Sequence, residues 1–204
     1  MVSQTQIEDL VRKAIAVLKS GGVVVFPTET AYGLAADATN SRAVERVMAI
    51  KGREEWKTPS LIVADRAMAQ RYCELTPLLA DLADRFWPGA LTIVARVTQG
   101  LSSLVIRDST MALRVSSGPI ARDLSNGLGV PIVATSANRA GEKECYRIED
   151  VRGQFVSQLL QPDFYLDVGS LTPRPPSTVV REVGGSIEVL RQGELYVSTR
   201  EKIV

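Results

Sequence analysis

Apolar residues recur at helical spacing along several stretches of the chain, and this pattern predicts amphipathic helices. The predicted helices cover about residues 7–18, 41–51, 77–86, 119–125 and 148–160. Gly21-Gly22 is typical of a helix end, and Thr76-Pro77 supplies a capping hydroxyl followed by a first-turn proline. Local sequence signals therefore mark the ends of helices that the periodicity predicts.

Short apolar runs, several of them rich in β-branched residues, separate these helices and predict buried strands. These runs cover residues 23–26, 61–64, 91–97, 111–115 and 132–135. Residues 178–191 predict two more strands joined by a tight turn at Gly184-Gly185, whereas residues 27–37 are interpreted as a polar loop. Helices that alternate with strands and end in a hairpin predict a single α/β domain with a twisted mixed sheet flanked by helices.

The composition excludes several classes of catalytic and metal-binding site. The chain has 204 residues, with 24 Lys and Arg against 23 Asp and Glu, and no His. The lack of His excludes Ser-His-Asp and Cys-His catalysis, His-ligated zinc and a histidine base. Cys73 and Cys145 are too few for a zinc cage, and no apolar run approaches the roughly 18 residues of a membrane span. We therefore expect a cytoplasmic protein without a protein-built metal centre.

Polar residues follow two of the predicted strands directly. Thr28, Glu29 and Thr30 come after the first strand, and Ser136 and Asn138 come after residues 132–135. Ligands of open α/β sheets bind beyond the carboxyl ends of strands, so these side chains could line a site. They could equally cap turns. The sequence contains neither a P-loop nor a Rossmann fingerprint.

Four cations are candidates for anion binding. Lys51 and Arg53 flank Gly52 at a predicted helix end, where they could converge on phosphate oxygens or simply complement the helix dipole. Arg114 lies inside an apolar strand, so it must lie at the rim or pair with an anion. Arg191 ends the last strand, where a solvated surface charge is the alternative.

Taken together, these segments resemble the motifs of the YrdC/YciO family. The matching segments are Pro27 to Leu34 (PTETAYGL, family PTETVYGL), Lys51-Gly52-Arg53 (KxR), Trp87 to Thr92 (WPGALT, family WPGPLT), Ser136-Ala137-Asn138 (SxN), and Ser177 to Val180 with Arg191 (STVV…R). They occur in the family order, which implies a YrdC-like catalytic domain over residues 6–193 and a C-terminal tail at 194–204. The resemblance also implies a large concave basic groove on the sheet.

The resemblance further implies a nucleotidyltransferase. The family condenses L-threonine, bicarbonate and ATP into threonylcarbamoyl-AMP and releases pyrophosphate, and Mg²⁺ arrives with ATP. The product serves threonylcarbamoyladenosine modification of tRNA, which a separate transferase complex completes. Two other functions stay open: a tRNA-binding or double-stranded RNA-binding module of the same fold, and a carbamoyl-adenylate enzyme with another acceptor.

By motif match, each family role falls on a numbered position. Threonine binding is expected at Thr30, Arg114 and Ser177. ATP binding is expected at Lys51, Arg53, Lys57, Thr110, Ser136, Asn138 and Arg191, and Lys51, Arg53, Ser136 and Asn138 are the expected catalytic residues. The chain departs from the family after Arg53, where Glu54 replaces the usual Pro, and near Ala64, where many members carry His.

Overall fold

The computed structural model describes residues 3–52 and 58–197. The helices are α1 (Gln4–Lys19), α2 (Ser41–Lys51), α3 (Arg66–Tyr72), α4 (Pro77–Phe86), α5 (Pro119–Leu128) and α6 (Ile148–Phe155). The strands are β1 (Val24–Pro27), β2 (Tyr32–Ala35), β3 (Ser60–Val63), β4 (Cys73–Glu74), β5 (Leu91–Val97), β6 (Thr110–Val115), β7 (Ile132–Ser136), β8 (Phe164–Tyr165), β9 (Thr178–Val183) and β10 (Ser186–Arg191).

These strands form one mixed sheet in the order β10-β9-β5-β6-β3-β7-β2-β1-β8, with β4 paired to β5. β3 runs parallel to β6, β5 to β9 and β1 to β8, and the other neighbours are antiparallel. The predicted α/β class and mixed sheet are confirmed.

The two faces of the sheet are covered differently. On one face, Leu61, Leu113 and Ile93 belong to the larger hydrophobic cluster, which also receives the apolar stripes of α2, α3, α4 and α6. On the opposite face, Ile62 and Ile132 pack in a smaller cluster under α1 and α5. Helices α1 and α5 cover the part of this face that is formed by β1, β2, β7 and β3. They leave part of the same face uncovered on β5, β6 and β9.

The ends of α2 show why it begins and stops where it does. The Asn40 side chain accepts a hydrogen bond from the Ala43 amide at the first turn. At the other end Gly52 adopts φ 63°, a left-handed conformation that glycine enters without steric cost. The helix therefore terminates immediately after Lys51, at the bounds that the sequence predicts.

Two sequence predictions about elements are wrong. The polar loop predicted at residues 27–37 contains β2, because all four of its residues are buried and pair antiparallel with β1. The last helix ends at Phe155 and not near residue 160, and Leu159 is 99% exposed. Three further elements, α3, β4 and β8, are absent from the sequence predictions; each is short.

Within the described ranges, none of the helices combines the length and apolar character that crossing a bilayer requires.

Candidate active site

The uncovered part of the second sheet face forms the floor of a cavity of about 500 Å³, called here the main cavity. Its floor residues are Ser60, Thr92, Ala112, Arg114, Ala134 and Val179. They lie side by side in the sheet: Ser60 pairs with Ala134 and Thr92 with Val179. Since strand side chains alternate between faces, the polar floor follows from the same pattern that buries the residues between them.

Lys51 lines the main cavity, and its ammonium is enclosed by oxygen acceptors. Its Nζ lies 2.7 Å from the carbonyl oxygen and 3.1 Å from the hydroxyl of Ser136. It lies 3.0 Å from both the carbonyl oxygen and Oδ1 of Asn138. The residue is only 7% exposed. The ammonium thus places a buried positive charge at the end of β7 and orders the loop that follows.

That loop is held from three further directions. The Asn138 side-chain amide donates to the carbonyls of Arg139 at 2.9 Å and Glu142 at 2.7 Å, and the Ala140 amide donates to the Lys51 carbonyl at 2.8 Å. Gly33 in β2, opposite Ser136, leaves little space for a side chain: a Cβ there would lie 3.0 Å from the Phe26 ring, which would have to shift. The predicted convergence of Lys51, Ser136 and Asn138 is therefore present and tightly built.

Arg114 lies on the cavity floor, in β6, and is paired with a carboxylate. It is 6% exposed and forms an ion pair with Glu29, which also accepts a hydrogen bond from the Ser116 hydroxyl. The requirement that a buried strand arginine find an anion is met from the loop between β1 and β2. Burial, aided by the nearby charge of Arg191, lowers the pKa of Arg114 to about 10, which leaves the guanidinium charged at neutral pH.

Arg191 fixes the segment before β9. Its Nε and one terminal nitrogen donate to the Ser177 carbonyl at 3.1 and 2.9 Å, and the same nitrogen lies 3.1 Å from the Ser177 hydroxyl. That hydroxyl also lies 2.8 Å from the Thr92 hydroxyl. Burial lowers the pKa of Arg191, and the carboxylate of Glu144 opposes the shift. The Arg191 side chain is thus held in the cavity wall by hydrogen bonds to Ser177 and is not a freely solvated charge.

The threonines after β1 form a compact turn at the cavity wall. The Thr28 hydroxyl donates to the Ala31 carbonyl at 2.7 Å and lies 3.0 Å from the Thr30 hydroxyl. Both threonines line the main cavity. The segment therefore caps a turn and lines the main cavity at the same time.

Most of the residues expected in the site meet in one place. Those lining the main cavity are Thr30, Lys51, Arg114, Ser136, Asn138, Ser177 and Arg191. Arg53 and Lys57 lie outside the described residues. Thr110 is not part of the lining: it lies two residues before Ala112 on β6, about 7 Å further along the strand, and its hydroxyl donates to the Arg107 carbonyl at 2.8 Å.

Sequence reasoning missed the roles of Thr92, Ser116 and Glu144. Thr92 and Ser116 hold Ser177 and Glu29 respectively, and Glu144 lines the cavity. The sequence does contain a signal for Thr92, because it is a polar residue between the apolar residues of a predicted strand. Arg114 stands out in its own strand for the same reason. Glu144 lies in a polar loop, where nothing local distinguishes it from a surface carboxylate.

The potential nucleophiles near the core are held protonated. Burial raises the pKa of Cys73 to about 12 and that of Cys145 to about 11. Burial also raises the pKa of Tyr32 to about 12, and its hydroxyl donates to the Gly169 carbonyl at 2.8 Å. Thiolate and phenolate chemistry at neutral pH is therefore disfavoured at all three.

Fold and cavity together define an α/β protein with a cavity on its open sheet face that is lined by the cations Lys51, Arg114 and Arg191. Comparison with known proteins identifies the family to which this fold belongs. The sequence model Sua5_yciO_yrdC, described as "Telomere recombination", matches residues 16–193. The chain belongs to this Sua5/YciO/YrdC family.

Named relatives share most of the chain. The threonylcarbamoyl-AMP synthase of Vibrio vulnificus is 36% identical over 186 residues, covering 89% of this chain and 97% of that protein. A putative threonylcarbamoyl-AMP synthase of Methanocaldococcus jannaschii is 30% identical over 178 residues, covering 87% and 83%.

Solved structures show the same fold. P. abyssi Sua5 complexed with L-threonine superposes with a TM-score of 0.82 at 30% identity, covering 90% of this chain but 54% of that one. E. coli YciO superposes with a TM-score of 0.80 at 25% identity, covering 91% and 90%. The predicted fold and family resemblance are confirmed.

Proposed function

We propose that this chain is a threonylcarbamoyl-AMP synthase, which condenses L-threonine, bicarbonate and ATP into threonylcarbamoyl-AMP and releases pyrophosphate. One observation supports the proposal: a single cavity is lined both by Arg114 and Ser177, which can bind a carboxylate, and by Lys51, whose charge can stabilise phosphate oxygens. The names of the relatives and the L-threonine complex of Sua5 support it.

Threonine binds at the Arg114 end. The guanidinium of Arg114 takes the carboxylate as a planar fork, a geometry for which arginine is better suited than lysine. The hydroxyls of Ser177 and Thr30 line the same cavity and supply further hydrogen bonds. Because Arg191 and Thr92 hold Ser177, this end is formed before the substrate arrives.

ATP phosphates bind towards the Lys51 end, where the buried ammonium and the ordered Ser136–Asn138 loop are found. Arg191, which lies beside both Ser177 and Glu144, faces the space in which the two substrates meet. Arg53, Lys57 and Thr110 remain predicted ATP ligands.

The chemistry needs no protein nucleophile. The threonine amine adds to carbon dioxide derived from bicarbonate and loses a proton to form a carbamate. A carbamate oxygen then attacks the α-phosphorus, and the bond to the bridging oxygen breaks to release pyrophosphate. The protein positions the two reactants and stabilises the charge on phosphate oxygens.

Mg²⁺ enters with the triphosphate. The cavity offers the Glu144 carboxylate and the Ser136 and Thr135 hydroxyls, hard oxygen donors that fit this ion when phosphates and water complete its shell. When bound, the ion neutralises phosphate charge. We place the enzyme in the cytoplasm, where its labile product passes to the transferase proteins that modify tRNA. Any direct contact of this chain with tRNA is secondary to that transfer.

Pyrophosphate release tests the proposal. Purified protein with ATP and Mg²⁺ is assayed with and without L-threonine and bicarbonate, and with L-serine in place of threonine. Release that requires both threonine and bicarbonate is the expected result. Release that requires bicarbonate and is as fast with L-serine as with L-threonine would indicate another acceptor. ATP binding without any release, together with salt-sensitive RNA binding, would favour the RNA-binding alternative.

A further inference from the structure

We propose that Glu29 is a positioning residue for the part of the site that binds the amino acid. Its carboxylate holds the guanidinium of Arg114 in place and offsets the positive charge of that group. In this role it makes Arg114 select a singly charged carboxylate over phosphate. The inference rests on the proposed function and adds a source of specificity to it.

The pair is buried and spans distant parts of the chain. The side chains of Glu29 and Arg114 are each only 8% exposed, and they join the loop after β1 to strand β6. Ser116 donates its hydroxyl hydrogen to the Glu29 carboxylate, and the Gly118 amide donates to the Ser116 oxygen at 3.1 Å. The carboxylate is therefore fixed by a chain of hydrogen bonds that does not involve a ligand.

The two partners face different cavities. Arg114 lines the main cavity, whereas Glu29 lines a separate cavity of about 290 Å³ together with Trp87 and Ser117. Glu29 is not among the described residues that line the main cavity. A guanidinium carries five N–H donors on more than one edge, so Arg114 can bind Glu29 with one edge and offer another to a substrate. Glu29 thus supports the arginine without occupying the substrate's place.

Charge balance gives this arrangement its selectivity. Arg114 and Arg191 are close enough for the charge of Arg191 to affect the ionisation of Arg114. Two uncompensated guanidinium groups at one end would attract the most highly charged anion available, which in this reaction is ATP or pyrophosphate. With Glu29 in place, Arg114 binds through oriented hydrogen bonds more than through net charge, and the planar carboxylate of an amino acid satisfies it.

The test compares four variants by steady-state pyrophosphate release. Glu29→Gln keeps the shape and one acceptor but removes the charge, Glu29→Asp keeps the charge on a shorter side chain, and Ser116→Ala removes the supporting hydroxyl. Glu188→Gln is the matched control, because it breaks an exposed Arg–Glu pair with Arg181 and neither residue lines either cavity. The readouts are KM for threonine, KM for ATP, and inhibition by inorganic phosphate against threonine.

Glu29→Gln should raise the KM for threonine about tenfold and leave the KM for ATP within about twofold of the wild-type value. Inorganic phosphate should compete with threonine, and its inhibition constant should be roughly tenfold lower than in the wild type. Glu29→Asp should fall between it and the wild type, and Glu188→Gln should match the wild type.

Unchanged threonine KM and phosphate inhibition in Glu29→Gln would overturn the inference. So would equal increases in both KM values without stronger phosphate inhibition, which indicate a structural role only. If Glu29→Gln does not fold, Ser116→Ala decides, and a wild-type threonine KM in that variant overturns the inference. Wild-type protein without threonine-dependent release instead refutes the proposed function, and this inference falls with it.

Discussion

The ammonium of Lys51 lies 3.0 Å from both the main-chain and the side-chain oxygen of Asn138, although the two residues are 87 positions apart. The contact links the last residue of α2 to the loop that follows β7, and it lies on the wall of the main cavity. One side chain therefore contributes both to the tertiary structure and to the charge of the site.

Lys51→Ala should lower both stability and activity. Removing the ammonium leaves buried oxygens unsatisfied, so we expect the free energy of unfolding to fall by about 2 kcal/mol, and kcat/KM to fall about 100-fold from the lost charge. Urea denaturation and pyrophosphate release measure the two effects. Lys19→Ala is the matched control, since Lys19 is an exposed lysine in the last turn of α1. Wild-type stability in Lys51→Ala would contradict the anchoring role.

Arg114→Lys should affect one substrate more than the other. The variant keeps the charge but loses the planar fork, so KM for threonine should rise about tenfold while KM for ATP stays within about twofold. Initial rates at varied threonine and varied ATP separate the two constants. Arg96→Lys on the exposed side of β5 serves as the control and should behave as wild type. Equal effects on both substrates would remove Arg114 from the amino-acid end.

Gly193→Ala should disrupt the site from outside the cavity lining. A Cβ at Gly193 would lie 2.1 Å from the Pro176 carbonyl oxygen and 2.6 Å from the Ser177 carbonyl carbon, so the segment carrying Ser177 must shift. We expect a threonine KM at least about fivefold higher, corresponding to about 1 kcal/mol of lost binding.

The control for this variant is Gly153→Ala in α6, where a Cβ meets nothing within 4 Å. It should leave the kinetics unchanged and stabilise the fold by about 1 kcal/mol, because alanine is the better helix former. Identical kinetics in the two glycine variants would show that Ser177 does not need its observed position.

The buried cysteines should resist alkylation in the native protein. With pKa values raised to about 12 and 11, the thiols of Cys73 and Cys145 are almost entirely protonated at pH 8, and both are buried. Iodoacetamide followed by mass spectrometry should find neither labelled in buffer and both labelled in about 8 M urea, which is above the roughly 5 M midpoint expected from an unfolding free energy of about 10 kcal/mol and an m value of about 2 kcal/mol/M. Rapid native labelling of Cys145 would reveal opening of the loop beside the cavity.

Elements bounded by strong local signals were predicted well. The bounds of α2 and β5 match the predictions, because the Asn40 cap and Gly52 bracket the helix and Trp87-Pro88-Gly89 precedes the strand. β2 was missed because Tyr32–Ala35 is short and follows polar residues, and its strand character comes from pairing with β1 and β7. The pairing with β7 joins segments that are distant in sequence, which local sequence does not encode.

Motifs predicted which residues of the described chain would line one cavity, Thr110 excepted, but they did not predict the contacts among those residues. Motifs placed Lys51, Ser136 and Asn138 together, and the structure confirms that they meet. The need of Arg114 for an anion was also evident, but its partner is 85 positions away in sequence, and only the sheet and its loops bring the two together. Glu29 became identifiable as that partner once the fold was known.

The floor of the main cavity and the hydrophobic core share the same strands. In β6, Leu113 and Val115 are buried on one face while Arg114, between them, lies on the other. A slip of one residue in pairing would exchange the two sets and bury the arginine against α3 and α4. Misregistered chains would therefore lose their core along with their site, so quality control that recognises unfolded protein also removes inactive enzyme.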